Sequence, residues 1–328
     1  MPMLLRTALQ IKEPTPFAIN HHSSLLTLGS CFAQHIGQRL TANKFDVLAN
    51  PWGTLFNPLA IFKLLQQATT ETVDESLFVQ HGAQWHHYDF HSQWVASDKL
   101  ALKLSIQDQF RAVAQFCSQK QPIYVFTWGT AFVHKLKQNG QAVANCHKQP
   151  AHLFTKELLT SEEIVQAFWQ WYNPDLAPKV VLTVSPVRHT KDGLVENSLS
   201  KAILRVACEA ILRQAQARSL PVVYFPSYEI MIDDLRDYRF YKADLIHPNA
   251  MAIGYIWKHF GDFFFEQPTK DLLQRWSKIR RALLHKPFQP NSPDHQQFLQ
   301  RLLNQLEQLA PLLNLKQEIA QVKKQLIA

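Results

Sequence analysis

Apolar and polar positions along this chain alternate between short runs and longer amphipathic stretches. Leu25–Leu28 is an apolar run with Thr27 inside it, and Gly29 closes it. Phe32, Ile36 and Leu40 then recur every fourth residue, with Ala33 and Gly37 beside them. That spacing predicts a helix, so the segment reads as strand, tight turn, helix. Tyr124–Thr127 before Gly129 and Val180–Val184 before Ser185-Pro186 predict two further strands. Ser198–Arg218 reads as a helix with Leu199, Ile203, Val206, Ala210 and Leu212 as its apolar positions. Pro221–Phe225 reads as a fourth strand and Asn249–Phe265 as a late helix. Strands alternating with helices predict an α/β fold with a mostly parallel sheet. In such sheets, sites lie beyond the carboxyl ends of the strands.

Two stretches depart from this rhythm. Residues 71–103 contain WHHYDFHSQW (Trp85–Trp94) and read as an inserted cap. A packed hairpin is its favoured reading. An aromatic surface of Trp85, Tyr88 and Trp94 for a sugar or acyl group is an alternative, as is a zinc site of His86, His87, Asp89 and His91. The spacing of those four fits no helical pair or finger, so no metal is expected. Residues 266–328 read as a helical, Leu/Gln-rich extension that Pro287, Pro290 and Pro293 divide into two parts. Its apolar stripe should dock on the body or on a second copy, which offers a route to a homodimer. The chain is thus expected to hold a main domain over 1–265 and the extension over 266–328.

Composition narrows the partners. The chain has 328 residues and a net charge of +8, but residues 266–328 hold ten basic and five acidic residues, more than half of that excess. A nucleic-acid binder concentrates basic residues on its folded body, so no nucleic-acid partner is expected. No run of about 18 apolar residues suggests a membrane span, and the start carries no leader pattern. The four cysteines (Cys31, Cys117, Cys146, Cys208) are too sparse for a disulfide framework. A cytoplasmic setting is expected, with one thiol chemically used and no cofactor.

The sharpest motif is Gly29-Ser30-Cys31-Phe32-Ala33 at the first strand-to-helix turn. Backbone N–H groups and the positive helix end converge on such a turn, favouring an oxyanion or a thiolate. With NPWGTLFNP (Asn50–Pro58), FTWGTAFVH (Phe126–His134), VANCHKQP (Val143–Pro150), SPVRH (Ser185–His189) and DLIHPN (Asp244–Asn249), it makes the chain resemble the GSCFA family over most of residues 20–260. That family looks like a distant branch of the SGNH/GDSL hydrolases. The resemblance implies a three-layer α/β/α fold and acyl-ester chemistry, as hydrolase or acyltransferase, on a small-molecule, glycan or acyl substrate.

The same resemblance implies site residues. Aligning GSCF with GDSL puts Cys31 where the serine nucleophile lies and Ser30 where the aspartate lies, and Cys31 is favoured over Ser30. Asp244 and His247 resemble the DxxH pair, in which histidine takes the nucleophile's proton and the carboxylate orients it. Gly53 matches the oxyanion glycine by order, and Gly129-Thr130 sits where the asparagine block would be. Ala131 replaces that asparagine, which leaves Thr130, Asn57 or Asn145 to supply a donor. Read from the residues alone, Arg188 and His189 after a strand end, and His147 and Lys148 in the NCHK segment, are candidates for binding a carboxylate or phosphate. The alternative function is a binding module on the same scaffold, with the lost asparagine as the sign of lost catalysis.

Overall fold

The alternation of apolar residues in the first strand decides how the molecule is layered. The computed structural model describes residues 7–11, 15–285 and 287–327, so part of the segment read for a leader lies outside the described residues. In β1 (Ser24–Gly29), Leu26 and Leu28 face one core and Leu25 faces another. Successive side chains of a strand point to opposite faces, so β1 is buried on both sides. It leads into α1 (Cys31–Ala42), and β2 (Asp46–Ala49) pairs with it in parallel. After α2 (Pro58–Thr70) comes a hairpin, β3 (Phe78–His81) and β4 (Gln84–His87), inside the predicted insertion. The long α3 (Lys99–Lys120) returns the chain to β5 (Ile123–Trp128) in the sheet.

β6 (Phe132–Leu136), β7 (Ala142–Val143) and β8 (Phe154–Leu158) form a separate antiparallel sheet. Then follow α4 (Ser161–Trp171), β9 (Val180–Val184), α5 (Leu194–Gln216) and β10 (Val222–Tyr224). A short α6 (Ser227–Glu229) runs into a π-helical turn at Ile230–Leu235, and α7 (Ala250–Phe264) closes the body. The central sheet has the order β10-β9-β5-β1-β2 and all its pairs are parallel. Residues of α2, α3, α4 and α5 cover one face; α1 and α7 cover the other. This is the expected three-layer α/β/α arrangement. The strand order reverses between β1 and β5, so their carboxyl ends flank a crevice.

Three details differ from the sequence reading. In α5, Leu199 and Val206 are exposed, and the buried face is Leu204, Ala207, Cys208, Ile211 and Ala215, with Ser200 and Lys201. Small residues let that face lie close to the sheet, and the opposite face is nearly as apolar, so periodicity alone chooses the wrong one. Within the insertion, Tyr88 is buried and Trp85 and Trp94 pack against the main core, so they present no aromatic platform. The extension holds three helices, α8 (Gln267–Leu283), α9 (Pro293–Leu309) and α10 (Lys316–Lys323). They enclose an apolar cluster of their own that includes Trp276, Leu302, Leu306 and Leu315. Among the described residues no helix is long and apolar enough to cross a membrane.

Candidate active site

The turn after β1 is built on a glycine that no other residue replaces. Gly29 has φ +138°, and a Cβ there would lie 2.1 Å from Thr127 O. That contact lets β1 and β5 end side by side, with Ser30 N–H donating to Thr127 O at 3.0 Å. Asn50 locks the turn from β2. Its Oδ1 accepts from Gly29 N–H at 3.0 Å and its Nδ2 donates to Gly29 O at 3.2 Å.

Ser30 and Cys31 leave this turn in different directions. Ser30 is fully buried. Its Oγ accepts from Phe32 N–H at 3.3 Å, capping α1, and donates to Ser185 Oγ at 2.8 Å. Cys31, the first residue of α1, is half-buried, with Sγ 3.9 Å from Thr54 Oγ1. It lines a cleft of about 800 Å³ between the sheet's carboxyl end and the β6-β7-β8 sheet. That volume suits a small-molecule site.

His247 lines the same cleft. Its Nδ1 lies 2.7 Å from Asp244 Oδ2, while Asp244 Oδ1 accepts the N–H groups of Ile246 and His247 at 2.9 and 3.0 Å. Asp244 therefore folds the turn and aims the ring with one carboxylate. These hydrogen bonds, led by that from His247 N–H, hold its carboxyl well below the usual carboxylate range. Leu245 between them is left-handed, at φ 56°. Arg188 braces this turn, its N–H donating to Ile246 O and its guanidinium to Leu245 O at 2.9 Å.

The expected oxyanion donors are occupied. Gly53, at φ +79°, closes a tight turn with its N–H on Asn50 O at 2.8 Å. The N–H groups of Gly129 and Thr130 both donate to Phe56 O, at 2.8 and 2.9 Å. The Thr130 hydroxyl accepts from Phe132 N–H and lies 3.0 Å from Ser200 Oγ. Of the three, Thr130 lines the cleft, and the backbone donors of all three are not free for a ligand. Asn57 lines the cleft with its Oδ1 capping α2 through Ala60 N–H, so the amide's NH2 is the half left over. Asn145 also lines the cleft, with Oδ1 on His147 N–H.

Two basic residues of α5 and a neighbouring loop stand beside Gly129. Lys201 is 1% exposed, and its Nζ donates to Gly129 O at 2.7 Å and Ser185 O at 2.8 Å. Burial lowers its pKa to about 7. It ties together the ends of β5 and β9, and no motif in the sequence signals it. His189 packs edge-on against Phe56, and burial, helped by Lys201, lowers its pKa to about 3. Its Nε2 is buried without a hydrogen-bond partner among the described residues. His147 donates through Nε2–H to His87 O at 2.9 Å and stacks on His86. Burial lowers its pKa to about 4. Asp89 is paired with Lys63 at 2.7 Å, and no group of three His, Cys, Asp or Glu among the described residues is placed to hold a metal.

With the turn, the pair and the cleft in place, the sequence can be set against known families. The GSCFA family model matches residues 24–260, well over half the chain. The chain belongs to the GSCFA family. The GSCFA domain protein C-terminal domain matches residues 276–328, which fall in the three-helix extension. No curated protein matches at a significant level. Among solved structures, this GSCFA chain is similar to an acetyl esterase mutant holding an acetate ion and to a carbohydrate esterase family 3 protein from Talaromyces cellulolyticus. Each is 13% identical with a TM-score of 0.34, and the match covers 78% of this chain and 99% of the other.

Proposed function

We propose that the protein is an acyl-ester hydrolase or acyltransferase that works through a Cys31–His247–Asp244 triad. The observation that carries this is the common cleft. A thiol at the first turn of α1 and a histidine aimed by a carboxylate line one cavity, while the neighbouring serine hydroxyl is enclosed. His247 takes the Cys31 proton, and the thiolate attacks the substrate's carbonyl carbon. The C–S bond forms as the carbonyl electrons move onto oxygen. When the carbonyl re-forms, the bond to the leaving alkoxide breaks and His247 returns the proton to it. Water or an alcohol, deprotonated by His247, then attacks the thioester and breaks the C–S bond.

The oxyanion falls to different donors from those the family resemblance suggests. The Cys31 N–H belongs to the first turn of α1, where backbone donors lack intrahelical acceptors. The Asn57 amide NH2 is the second donor, standing in for the missing asparagine.

The test is turnover of p-nitrophenyl acetate by folded variants, with peptide-mapped iodoacetamide labelling of the native protein. Cys31→Ala and His247→Ala should each abolish turnover with the circular dichroism unchanged. Labelling at Cys31 should slow in His247→Ala. The committed N–H groups of Gly53, Gly129 and Thr130 favour a second reading, a binding module for glycans or acyl groups. Full turnover in folded His247→Ala removes the triad. No turnover on any ester, with saturable binding of one, puts the module first.

A further inference from the structure

The cleft is more basic than ester chemistry requires. Lys148, Lys156, Arg188 and Lys191 line it, and Asp192 is the single carboxylate among its lining residues. Lys156 is paired with Asp192 and lies over the Phe132 ring. Arg188 is engaged with Leu245 O and flanked by the Tyr238 and Tyr241 rings. Lys148 and Lys191 are exposed and have no acidic partner among the described residues.

The backbone presents one of them at a cost. His147 and Lys148 are consecutive non-glycine residues in the left-handed region, at φ 46° and 57°. Strain of this kind persists where surrounding structure enforces it and concentrates at ligand sites. Here Asn145 Oδ1 holds His147 N–H and the ring is held at His87 O, so the turn is fixed and carries Lys148 on the cleft wall. Unpaired cations in a concave surface repel one another and focus a positive field on whatever enters.

We propose that the acyl substrate carries a phosphate group on the part remote from its carbonyl, and that Lys148 and Lys191 hold it while the carbonyl lies at Cys31. This rests on the hydrolase or acyltransferase reading above. A phosphate supplies the negative charge that the wall lacks and takes charge-assisted hydrogen bonds from both ammonium groups. Anchoring a non-reacting group in this way positions the carbonyl for attack.

The test uses two thioesters that differ by one phosphate, S-acetyl-4′-phosphopantetheine and S-acetylpantetheine, and a calorimetric titration with inorganic pyrophosphate. The protein should prefer the phosphorylated thioester in kcat/KM by roughly 10-fold or more, as expected for one or two charged hydrogen bonds. In Lys148→Gln/Lys191→Gln that ratio should fall towards unity. Pyrophosphate should bind the wild type, bind more weakly at higher salt, and bind the double variant roughly 10-fold less tightly. A tail variant, Lys316→Gln/Lys324→Gln, removes the same charge elsewhere and should leave ratio and binding unchanged. Equal turnover of both thioesters with a blank pyrophosphate titration overturns the phosphate site and leaves the triad standing. Binding that the double variant keeps in full also overturns it. Pyrophosphate binding lost in the double variant, with neither thioester turned over, supports the anion site and overturns the acyl chemistry.

Discussion

Replacing Ser30 by alanine removes both the cap of α1 and the hydroxyl partner of Ser185. Together these are worth about 2 kcal/mol. Urea unfolding should show that loss while the native iodoacetamide rate at Cys31 stays within about 2-fold of wild type. Cys31→Ala should do the reverse, costing little stability and all turnover. An equal loss of turnover in both variants, at matched stability, would return the nucleophile to the serine. Asp244→Asn tests the next residue of the proposed triad. It swaps the carboxylate oxygen facing His247 Nδ1 for an amide and leaves an oxygen to accept the turn's N–H groups. A comparable change in a serine protease triad costs about 10⁴ in kcat, and a fall of at least ~10² is expected here. The Asp244 carboxyl is held below the usual range, so it stays ionised through the acid limb of a pH–rate profile. That limb should therefore keep its shape in wild type down to pH 5. A limb that shifts on Asp244→Asn without loss of rate would mean the carboxylate only tunes the ring.

Among the elements, α5 makes the clearest physical demand, because Lys201 spends its charge inside the protein. Its folded pKa is lowered to about 7 against an ordinary value of 10.5. Between those two values the unfolded chain binds the extra proton and the folded chain does not. Stability from this group therefore rises with pH across that window and is flat below it. Unfolding midpoints in urea at pH 7 and pH 9.5, for wild type and Lys201→Met, should show wild type gaining relative to the variant. An identical pH response in the two proteins would place the lysine's proton elsewhere. This element also marks where sequence reading stops. The strands β1, β5 and β9 were legible because both faces are buried, so each is a compact apolar run bounded by a glycine or proline turn. The small sheet β6-β7-β8 was not, because Lys135 and Glu157 break its pattern on one face and His134 and Lys156 break it on the face towards the cleft. The short β2 (Asp46–Ala49) has an exposed first residue and three half-buried ones, which leaves little apolar signal. The Gly-Ser-Cys turn and the Asp244–His247 spacing were readable as local chemistry. The commitment of the Gly129 and Thr130 N–H groups to Phe56 O was not, since that acceptor lies more than 70 residues away in sequence.

At the scale of the whole molecule, the extension and the cleft grip opposite ends of one helix. Cys31 opens α1, and the tail fastens to its far end, where Trp276 Nε1 donates to Ala42 O at 2.8 Å and Lys44 pairs with Glu318. The helix has 12 residues, and at 1.5 Å per residue the two attachments are about 18 Å apart. Trp276 is also 2% exposed within the tail's own apolar cluster. Deleting its ring should therefore cost about 3–5 kcal/mol through the cavity it leaves. Whether that loss reaches the cleft depends on how rigidly α1 is held between its ends. Phe32, Ile36 and Leu40 are each buried against β1, β5 and α7 in one core, and Gly37 lies so close to β2 that a Cβ there would meet Ala49 at 2.5 Å. A helix seated along its length on a close-packed sheet transmits little displacement from one end to the other. Trp276→Ala should thus lower the thermal midpoint while changing the native labelling rate of Cys31 and the turnover of p-nitrophenyl acetate by less than about 2-fold. A parallel loss of thiol reactivity, at a temperature where the variant is still fully folded, would make the extension a working part of the site through α1.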